Sequence, residues 1–360
     1  MSLSFLPVTA LPLEISALPP ANSIFQSALW ARYKASCGQT PLAFTVKAGN
    51  QNIPLILFIR KGPGGIRYAY AADAPDIKTS EESFGPILED LSIAISRQLP
   101  PDCAFIRWDT VQESPWQGPE YHSHTGQWKG APRSAIREMR MNWGTRERRL
   151  RKAIADHLSP DTVIISLVED EETILARMRQ TTRNAIRRAQ RSGICVRPLH
   201  QHELSQWYAL YRETATRKGI YCEQESFFKQ LAALPAEDNA EICFMGGFLD
   251  NELLAGAAFA RAGSGAYYLF AGSSLHKREC MPNYGLQWEA IRWLKEHGCT
   301  QYDLLGVPPN NDPDHKMYGL YTFKTGFGGR HIHYSGCWDW PIDENAWKQA
   351  RNAEILASAP

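Results

Sequence analysis

The chain has 360 residues, and its 39 lysines and arginines nearly balance 38 acidic residues, so the formal net charge is only +1. This length predicts two domains, and a composition of 44% hydrophobic and 21% charged residues is typical of a soluble globular protein with no apolar run long enough to span a bilayer. The eight cysteines include no CxxC pair, which argues against a dense disulfide framework. The N-terminus does not look like a signal peptide, because prolines interrupt it and it has no basic start. We therefore expect a cytoplasmic protein with reduced thiols.

One order of elements occurs twice, about 200 residues apart. Residues 44–73 and 242–274 each have the alternation and turn residues of a three-stranded meander. Each meander is followed by an amphipathic helix and then by one short strand, which ends at Asp109 in the first half and at Gly306 in the second. This order indicates two copies of one α/β domain, and two unrelated α/β domains are the alternative.

A connecting segment separates the two copies. It is rich in Pro, Gly, His and Trp over residues 112–133, and a basic, helix-like stretch then runs through Arg151-Lys152. The short strand TVIISLV begins the second half, and the acidic cluster at 169–172 predicts a helix N-terminus, where carboxylates meet the positive end of the helix dipole. We place the first domain at residues 1–160 plus 336–360 and the second domain at residues 161–335.

The helix predicted after this cluster is strongly basic. From Thr173 to His202 there are seven arginines but no lysine and no acidic residue. If the helix continues to Gly193, four arginines spaced four apart share one face, where like charges destabilise an isolated helix by a few tenths of a kcal/mol per pair. Because guanidinium binds phosphate bidentately, this face predicts a contact with a polyanion such as RNA. A solvated face paired with distant acidic residues is the alternative.

A second unusual segment is MYGLYTFKTGFGG, residues 317–329. Lys324 is predicted on a strand among aromatic residues, directly before glycines at 326, 328 and 329. Glycines allow the backbone to approach a ligand closely, and a fixed positive charge beside exposed N–H groups suits the stabilisation of an oxyanion. The alternative is a hairpin turn after a strand lysine whose amine extends to solvent.

Taken together, these segments resemble the FemABX family of peptidoglycan-bridge aminoacyltransferases. The resemblance covers residues 25–340 and rests mainly on TTRNAIRRAQRSGI and on YDLLGVPP followed by MYGLYTFKTGFGG. It implies two tandem α/β domains of the GNAT acyltransferase fold. It also implies transfer of an amino acid from aminoacyl-tRNA to an amine on the stem peptide of a peptidoglycan precursor. Aminoacyl-tRNA would be a co-substrate, with no other cofactor, and no metal site is expected because three His-x-His pairs lack further ligands.

The resemblance further implies roles for individual residues. Phe323 and Lys324 would form the acyl-transfer centre, with Lys324 stabilising the charge that develops on the carbonyl oxygen. Asp109 would be a carboxylate near the acceptor, and a salt bridge with Arg107 is its alternative. Substrate contacts would come from Lys34 (alternatively an exposed helix lysine), Tyr268, Phe270 and Tyr221. The tRNA backbone would be contacted by Arg179, Arg183, Arg187, Arg188 and Arg191.

Two departures from the family pattern affect these expectations. Glu223 stands where members that use nucleotide-linked precursors place an arginine for phosphate, so a nucleotide-linked, a lipid-linked or another acceptor stays open. Only about twenty residues separate Gly219 from the second meander, so no coiled-coil arm is expected. Peripheral contact with a membrane also stays open, and no stable protein partner is expected.

Two other functions compete with this one. The first is an acyl-CoA-dependent GNAT N-acyltransferase acting on another amine. The turns before the two predicted helices disfavour it, because they lack the glycine-rich cradle that holds a diphosphate at a helix N-terminus. The second is a non-catalytic RNA-binding protein, which would bind RNA without Lys324 and transfer no acyl group.

Overall fold

The computed structural model describes residues 8–124, 126–237 and 239–358, and these form two compact units. One unit contains the described residues up to Ala21, Phe25–Pro160 and the residues from Ile332 onwards. The other contains Asn22–Ile24 and Asp161–His331. The first seven residues of the segment examined for a signal peptide lie outside the described ranges. Within those ranges, every helix is too short or too polar to cross a membrane.

The first unit is built on one mixed sheet. Its strands are ordered β1-β2-β3-β4-β5-β13, with the short β6 paired to β13, and only the β4–β5 pair is parallel. The elements are β1 (Val8–Leu13), α1 (Ala28–Ser36), β2 (Thr40–Ala48), β3 (Gln51–Lys61), β4 (Arg67–Ala71), α2 (Glu81–Ser96), β5 (Cys103–Glu113), α3 (Ser134–Met141), β6 (Arg151–Lys152), β13 (Arg330–Pro341) and α10 (Glu344–Ser358).

The second unit has a second mixed sheet in the order β7-β12-β11-β10-β9-β8, in which only β11 and β12 are parallel. Its elements are β7 (Asp161–Ser166), α4 (Glu171–Arg177), α5 (Gln180–Arg191), β8 (Cys195–Pro198), α6 (Leu204–Lys218), α7 (Glu225–Ala232), β9 (Ala240–Leu249), β10 (Glu252–Ala262), β11 (Gly265–Ser273), α8 (Pro282–Glu296), β12 (Gln301–Asp303) and α9 (Tyr318–Thr325).

Each unit contains the repeat predicted from the sequence. In the first, the antiparallel strands β2, β3 and β4 lead into α2 and then into β5, which pairs in parallel with β4. In the second, β9, β10 and β11 lead into α8 and then into β12, which pairs in parallel with β11. The amphipathic helices bury their apolar faces in the two cores, as Leu88 and Ile291 illustrate. The same order of elements therefore produces the same connections in both halves.

Three local predictions were wrong. The basic stretch before Arg151-Lys152 is helical only in α3, and these two residues lie in β6. The basic segment of the second unit is two helices, because Met178, between α4 and α5, adopts extended backbone angles and buries its side chain in the core of the unit. Lys324 lies in the last turn of α9 and not on a strand. The longest helix in the described ranges has 16 residues, in agreement with the expected lack of a coiled-coil arm.

The three glycines after Lys324 are required by close packing within the second unit. A Cβ atom on Gly326 would lie 2.5 Å from the Thr182 hydroxyl oxygen, and one on Gly328 would lie 2.5 Å from the Arg177 carbonyl oxygen. A Cβ on Gly329 would lie 2.7 Å from the carbonyl oxygen of Ile164 in β7. Gly328 also has a φ of +78°, which disfavours any side chain. This segment therefore packs backbone to backbone against the break between α4 and α5.

A pair of glycine substitutions tests this packing. We expect Gly328→Ala to lower the free energy of unfolding of the second unit by about 2–4 kcal/mol, because the new methyl group meets a carbonyl at a left-handed position. Gly319→Ala is the control, since nothing lies within 4 Å of a Cβ at that position in α9. It should be neutral or stabilise by up to about 1 kcal/mol. Urea unfolding followed by circular dichroism measures both, and equal losses would contradict this account.

Candidate active site

Lys324 is a buried amine surrounded by fixed partners. Its side chain is only 6% exposed, and its Nζ donates hydrogen bonds to the carbonyl oxygens of Leu305 at 3.0 Å and Gly306 at 2.8 Å. The same Nζ lies 5.6 Å from the centre of the Tyr268 ring, a cation–π distance. An ammonium group has three N–H donors, so the two carbonyls leave one of them for a further acceptor.

The charge of this amine is sensitive to pH near neutrality. Burial lowers the pKa of Lys324 to about 8, and the nearby carboxylate of Asp303 partly opposes that shift. The amine is therefore mainly an ammonium at pH 7 and loses its proton as the pH rises through 8. As an ammonium it can donate to an oxygen that gains negative charge, and as a free amine it can accept a proton.

The two carbonyls are aimed by the turn that follows β12. Asp303 accepts hydrogen bonds from the backbone N–H of Leu305 at 2.7 Å and from the hydroxyl of Thr162. Leu305 itself has a φ of +53°, a strained conformation for a leucine. The sequence analysis did not assign Asp303, Leu305 or Gly306 to the site. Asp303, the acidic residue at the end of the strand in YDLLG, was a signal in the sequence that could have pointed to this turn. The left-handed conformation of Leu305 left no signal in the sequence.

Aromatic side chains line the space around Lys324 and its helix. Burial raises the pKa of Tyr268 to about 12, so this residue stays a neutral phenol, and its ring stacks on Phe259 at 5.7 Å. Phe323 packs edge-on against Tyr284 at 5.1 Å and against Phe327 at 5.2 Å. The structure therefore brings Tyr268 to Lys324, while Phe323 anchors the helix that carries the lysine.

The first arginine of the basic segment helps to position this helix. The backbone N–H of Arg179 donates to the carbonyl of Gly326 at 2.9 Å, and its guanidinium donates to the hydroxyl of Thr325 at 2.9 Å. The carbonyl end of α9 thus meets the amide end of α5, which satisfies free backbone groups of both helices and aligns their dipoles favourably. Arg179 consequently has a structural role beside the site.

Arg183 also has a structural partner. Its guanidinium donates to the carbonyl oxygens of Ala176, at 3.3 Å, and Met178, so it caps the C-terminal end of α4. Such a contact compensates for the break in the helix at Met178. The side chain is half-buried, unlike the arginines that follow it in α5.

The last arginines of α5 face solvent. Apolar or small residues form the buried stripe of the helix at 182, 185, 186 and 189, whereas Arg187, Arg188 and Arg191 are exposed. In the part of the chain that the structure describes, none of these three forms a salt bridge with an acidic residue. Pairing with distant acids, the alternative considered from the sequence, is thus not found for them. They form an exposed cationic surface, which we call the α5 arginine surface.

Two proposed substrate-binding residues lie elsewhere in the second unit. Phe270 packs edge-on against Phe228 at 5.1 Å and Phe227 at 5.7 Å, in an aromatic cluster formed with α6 and α7. Tyr221 is exposed in the segment between α6 and α7. Glu223, the residue that departs from the family pattern, lies in the same short segment. Their part in substrate binding stays a prediction.

In the first unit, Lys34 lies in α1 and is not a fully exposed lysine. Its Nζ is 4.8 Å from the centre of the Trp30 ring and 5.4 Å from that of Tyr33. These aromatic faces hold the ammonium by cation–π contacts at the end of α1. The alternative of an exposed helix lysine is right about the helix, but Lys34 is half-buried and not fully exposed.

Asp109 is buried at the end of the central part of β5. Its Oδ2 accepts hydrogen bonds from the hydroxyl of Tyr70 at 2.8 Å and from the backbone N–H of Leu158 at 2.7 Å. Burial raises its pKa to about 6 even though these hydrogen bonds oppose the shift. The alternative of a salt bridge with Arg107 was wrong, because Arg107 pairs with Asp339 at 2.7 Å and with Glu354 at 2.6 Å.

Comparison with known proteins gives three findings. A sequence model of the FemAB family matches residues 16–245 and 249–354. The crystal structure of FemX is similar with a TM-score of 0.72, 17% identity and coverage of 94% of this chain and 99% of that chain, which confirms the predicted fold of two tandem GNAT-like domains. The Lipid II:glycine glycyltransferases of Staphylococcus haemolyticus and Staphylococcus aureus are 41% and 40% identical over 75 residues. That match covers 21% of this chain and only 18% of the length of these relatives.

The contacts of α5 predict different effects for two of its arginines. We expect Arg183→Ala to lower the free energy of unfolding by about 1–2 kcal/mol, because two carbonyls at the end of α4 lose a charged donor. Arg187→Ala, the matched control on the same helix, should change stability by no more than about 0.5 kcal/mol. Thermal or urea unfolding distinguishes them, and a larger loss for Arg187→Ala would show that the assignment is reversed.

Proposed function

The chain belongs to the FemAB family, and from that premise we propose that it moves an amino acid from aminoacyl-tRNA to an amine on the stem peptide of a peptidoglycan precursor. The observation that carries this proposal is the buried ammonium of Lys324, which keeps one N–H donor after bonding to two carbonyl oxygens. Membership of the family makes aminoacyl transfer the natural use for such a donor.

The proposed reaction needs a stabilised oxyanion. The acceptor amine attacks the ester carbonyl of the aminoacyl group, a C–N bond forms, and the carbonyl oxygen becomes negative in the tetrahedral intermediate. The C–O bond to the ribose then breaks, and the released ribose oxygen takes up a proton, which balances the proton that the attacking amine gives up. The remaining N–H of Lys324 would bind the oxyanion, a contribution worth about 3–4 kcal/mol for one such donor. Positioning of the two substrates would supply most of the remaining acceleration.

The α5 arginine surface supports an RNA donor. α5 follows directly on Arg179, which is hydrogen-bonded to Gly326 at the end of the helix that carries Lys324. From Arg179, Arg187 and Arg191 lie about 12 and 18 Å further along the helix axis at 1.5 Å per residue. RNA phosphates bound by these side chains would be close enough for a charged 3′ end to reach Lys324. Arginine suits phosphate better than lysine does, because its planar fork donates two parallel hydrogen bonds.

For the acceptor, we propose a lipid-linked precursor. Two features support it: the staphylococcal relatives are named for lipid II, and Glu223 replaces the arginine that the resemblance associates with nucleotide-linked precursors. Asp109, with its pKa near 6, would accept a proton from the acceptor ammonium, and Lys34 would bind an anionic group of the precursor. In this proposal, the first unit binds the acceptor and takes its proton, and the second unit binds the RNA and stabilises the oxyanion.

A transfer assay tests the proposed function. The protein is incubated with charged tRNA and a lipid-linked pentapeptide precursor, and we expect the precursor to gain the mass of one amino-acid residue. Parallel reactions replace charged tRNA by the matching free amino acid or by an acyl-CoA. Transfer from acyl-CoA alone would favour the competing N-acyltransferase, and RNA binding without transfer from any donor would favour the non-catalytic alternative.

The α5 arginine surface can be tested without loss of stability. Replacing Arg187, Arg188 and Arg191 together by Glu should raise the KM for charged tRNA at least tenfold and flatten its dependence on salt, because fewer phosphate counterions are released on binding. The melting temperature should stay close to that of the wild type, since these side chains are exposed. Unchanged use of charged tRNA in the triple variant would exclude this surface as the RNA site.

The pH dependence of kcat should reveal the state of Lys324. If the ammonium stabilises the oxyanion, kcat at saturating substrates falls as the pH rises through about 8, the pKa of this residue. If the free amine acted as a base instead, kcat would rise through the same pH. Lys324→Met should lower kcat about 10²–10³-fold with little change in KM, since the contact strengthens only in the transition state.

Two further variants complete this test. Lys324→Arg keeps the charge above pH 8, so its residual activity should lack the alkaline fall. Asp109→Asn should lose the fall in kcat below about pH 6 that a carboxylate base produces when it is protonated. Persistence of that acidic fall in Asp109→Asn would assign it to another group, while leaving the role of Lys324 intact.

A further inference from the structure

The first unit presents a small apolar surface on α3 and the turn after it. Ile136, Met139 and Trp143 are 38%, 70% and 71% exposed. Ile136 and Met139 are three residues apart and share one side of α3, and Trp143 lies in the turn that follows the helix. They also line a cavity of about 350 Å³ with an apolar floor that includes Phe84, Trp116 and Trp338. We call Ile136, Met139 and Trp143, with this cavity, the α3 surface.

The exposure of Trp143 is held in place by the fold. The side-chain amide of Asn142 donates to the carbonyls of Glu138 and Leu150, each at 2.8 Å, and its oxygen accepts the backbone N–H of Leu150 at 3.1 Å. The hydroxyl of Thr145 donates to the carbonyl of Asn142 at 2.8 Å. The turn that carries Trp143 is therefore tied on both sides, and the indole faces solvent from a fixed backbone.

The segment that contains α3, residues 129–152, carries nine lysines and arginines and only two acidic residues. Glu82 and Glu138 also line the two depressions at this surface. Arg140 pairs with Glu81, and Arg146 pairs with Asp90, so these two acidic groups are neutralised. Two further cations form no salt bridge with an acidic residue in the described ranges: Arg133, at the start of α3, and Arg148. Arg148 lines a second depression together with Met139 and Trp143, which places a cation directly beside the exposed indole.

We propose that the α3 surface is a docking site for an anionic phospholipid bilayer. A short amphipathic element with tryptophan, aliphatic side chains and flanking arginines is the composition that inserts into the interface between head groups and acyl chains. Basic side chains near the surface add attraction to anionic lipids, and that attraction weakens with salt. This proposal rests on the proposed function in one respect: the bilayer would be the membrane that holds the lipid-linked acceptor.

A protein partner fits this surface less well. Three large side chains bury at most about 750 Å², taking up to about 250 Å² for each. A stable protein–protein interface buries at least about 1,000 Å². A bilayer requires no such area, because insertion of one or two side chains together with electrostatic attraction is enough for reversible binding.

Vesicle sedimentation of the full chain tests the proposal without any substrate. We expect the protein to sediment with vesicles of phosphatidylglycerol and phosphatidylcholine but not with phosphatidylcholine alone, and 0.5 M salt should weaken the binding. Met139→Asp combined with Trp143→Asp should reduce the bound fraction at least tenfold. Leu356→Asp, which alters a residue of 77% exposure on α10, should bind like the wild type.

Spectroscopy adds an independent readout. Binding to anionic vesicles should shift the tryptophan emission to shorter wavelength, and Trp143→Phe should bind nearly as well while losing most of that shift. No binding to anionic vesicles, equal binding to both vesicle types, or full binding by the double aspartate variant would overturn the proposal. If the wild type forms a stable dimer and the double aspartate variant is a monomer, the surface is a protein contact and the proposal is overturned. Vesicle binding without any transfer from charged tRNA would contradict the proposed function and leave the bilayer site standing.

Discussion

The candidate site depends on one backbone contact, the packing of residues 326–329 against the break between α4 and α5. Only glycine allows the carbonyls of Arg177 and Ile164 and the hydroxyl of Thr182 to approach this closely. The contact joins the end of α9 to the start of α5 through the hydrogen bond from Arg179 to Gly326. Because Lys324 lies two residues before Gly326, this junction fixes the position of its backbone and the direction in which its side chain leaves α9.

This rigid placement explains how a lysine can be buried and still carry a charge. Removing an ammonium from water is costly unless its donors are satisfied. Two carbonyls and the ring of Tyr268 compensate for most of that cost, and Asp303 adds a favourable field at longer range. The compensation is incomplete, since the pKa falls to about 8. The third N–H donor of the ammonium is the one that a substrate oxygen would accept from.

The sequence predicted the repeated meander, helix and strand because alternation, helical period and turn residues are local signals that tertiary packing reinforced. It also singled out Lys324 and the arginines of α5. It missed the helix α9, since three glycines in four residues are typical of a turn and their real cause is contact with α4 and α5, which are distant in sequence. The left-handed Leu305 could not be predicted either, because leucine disfavours that conformation and only Asp303 and Thr162 enforce it.

The arginines show why regular spacing does not reveal function by itself. Arg179 and Arg183 continue the spacing of Arg187 and Arg191, yet the first two bind backbone or hydroxyl oxygens at the helix break, and the last two face solvent. Arginines that bind the protein's own oxygens and arginines that face solvent therefore follow the same spacing in the sequence. The near-zero net charge of the chain arises because its 38 acidic residues nearly match its 39 lysines and arginines in number. Several arginines outside α5 pair with acidic residues, as Arg107 and Arg197 do. The exposed arginines of α5 concentrate unpaired positive charge on one side of one helix, and an anionic partner would neutralise it.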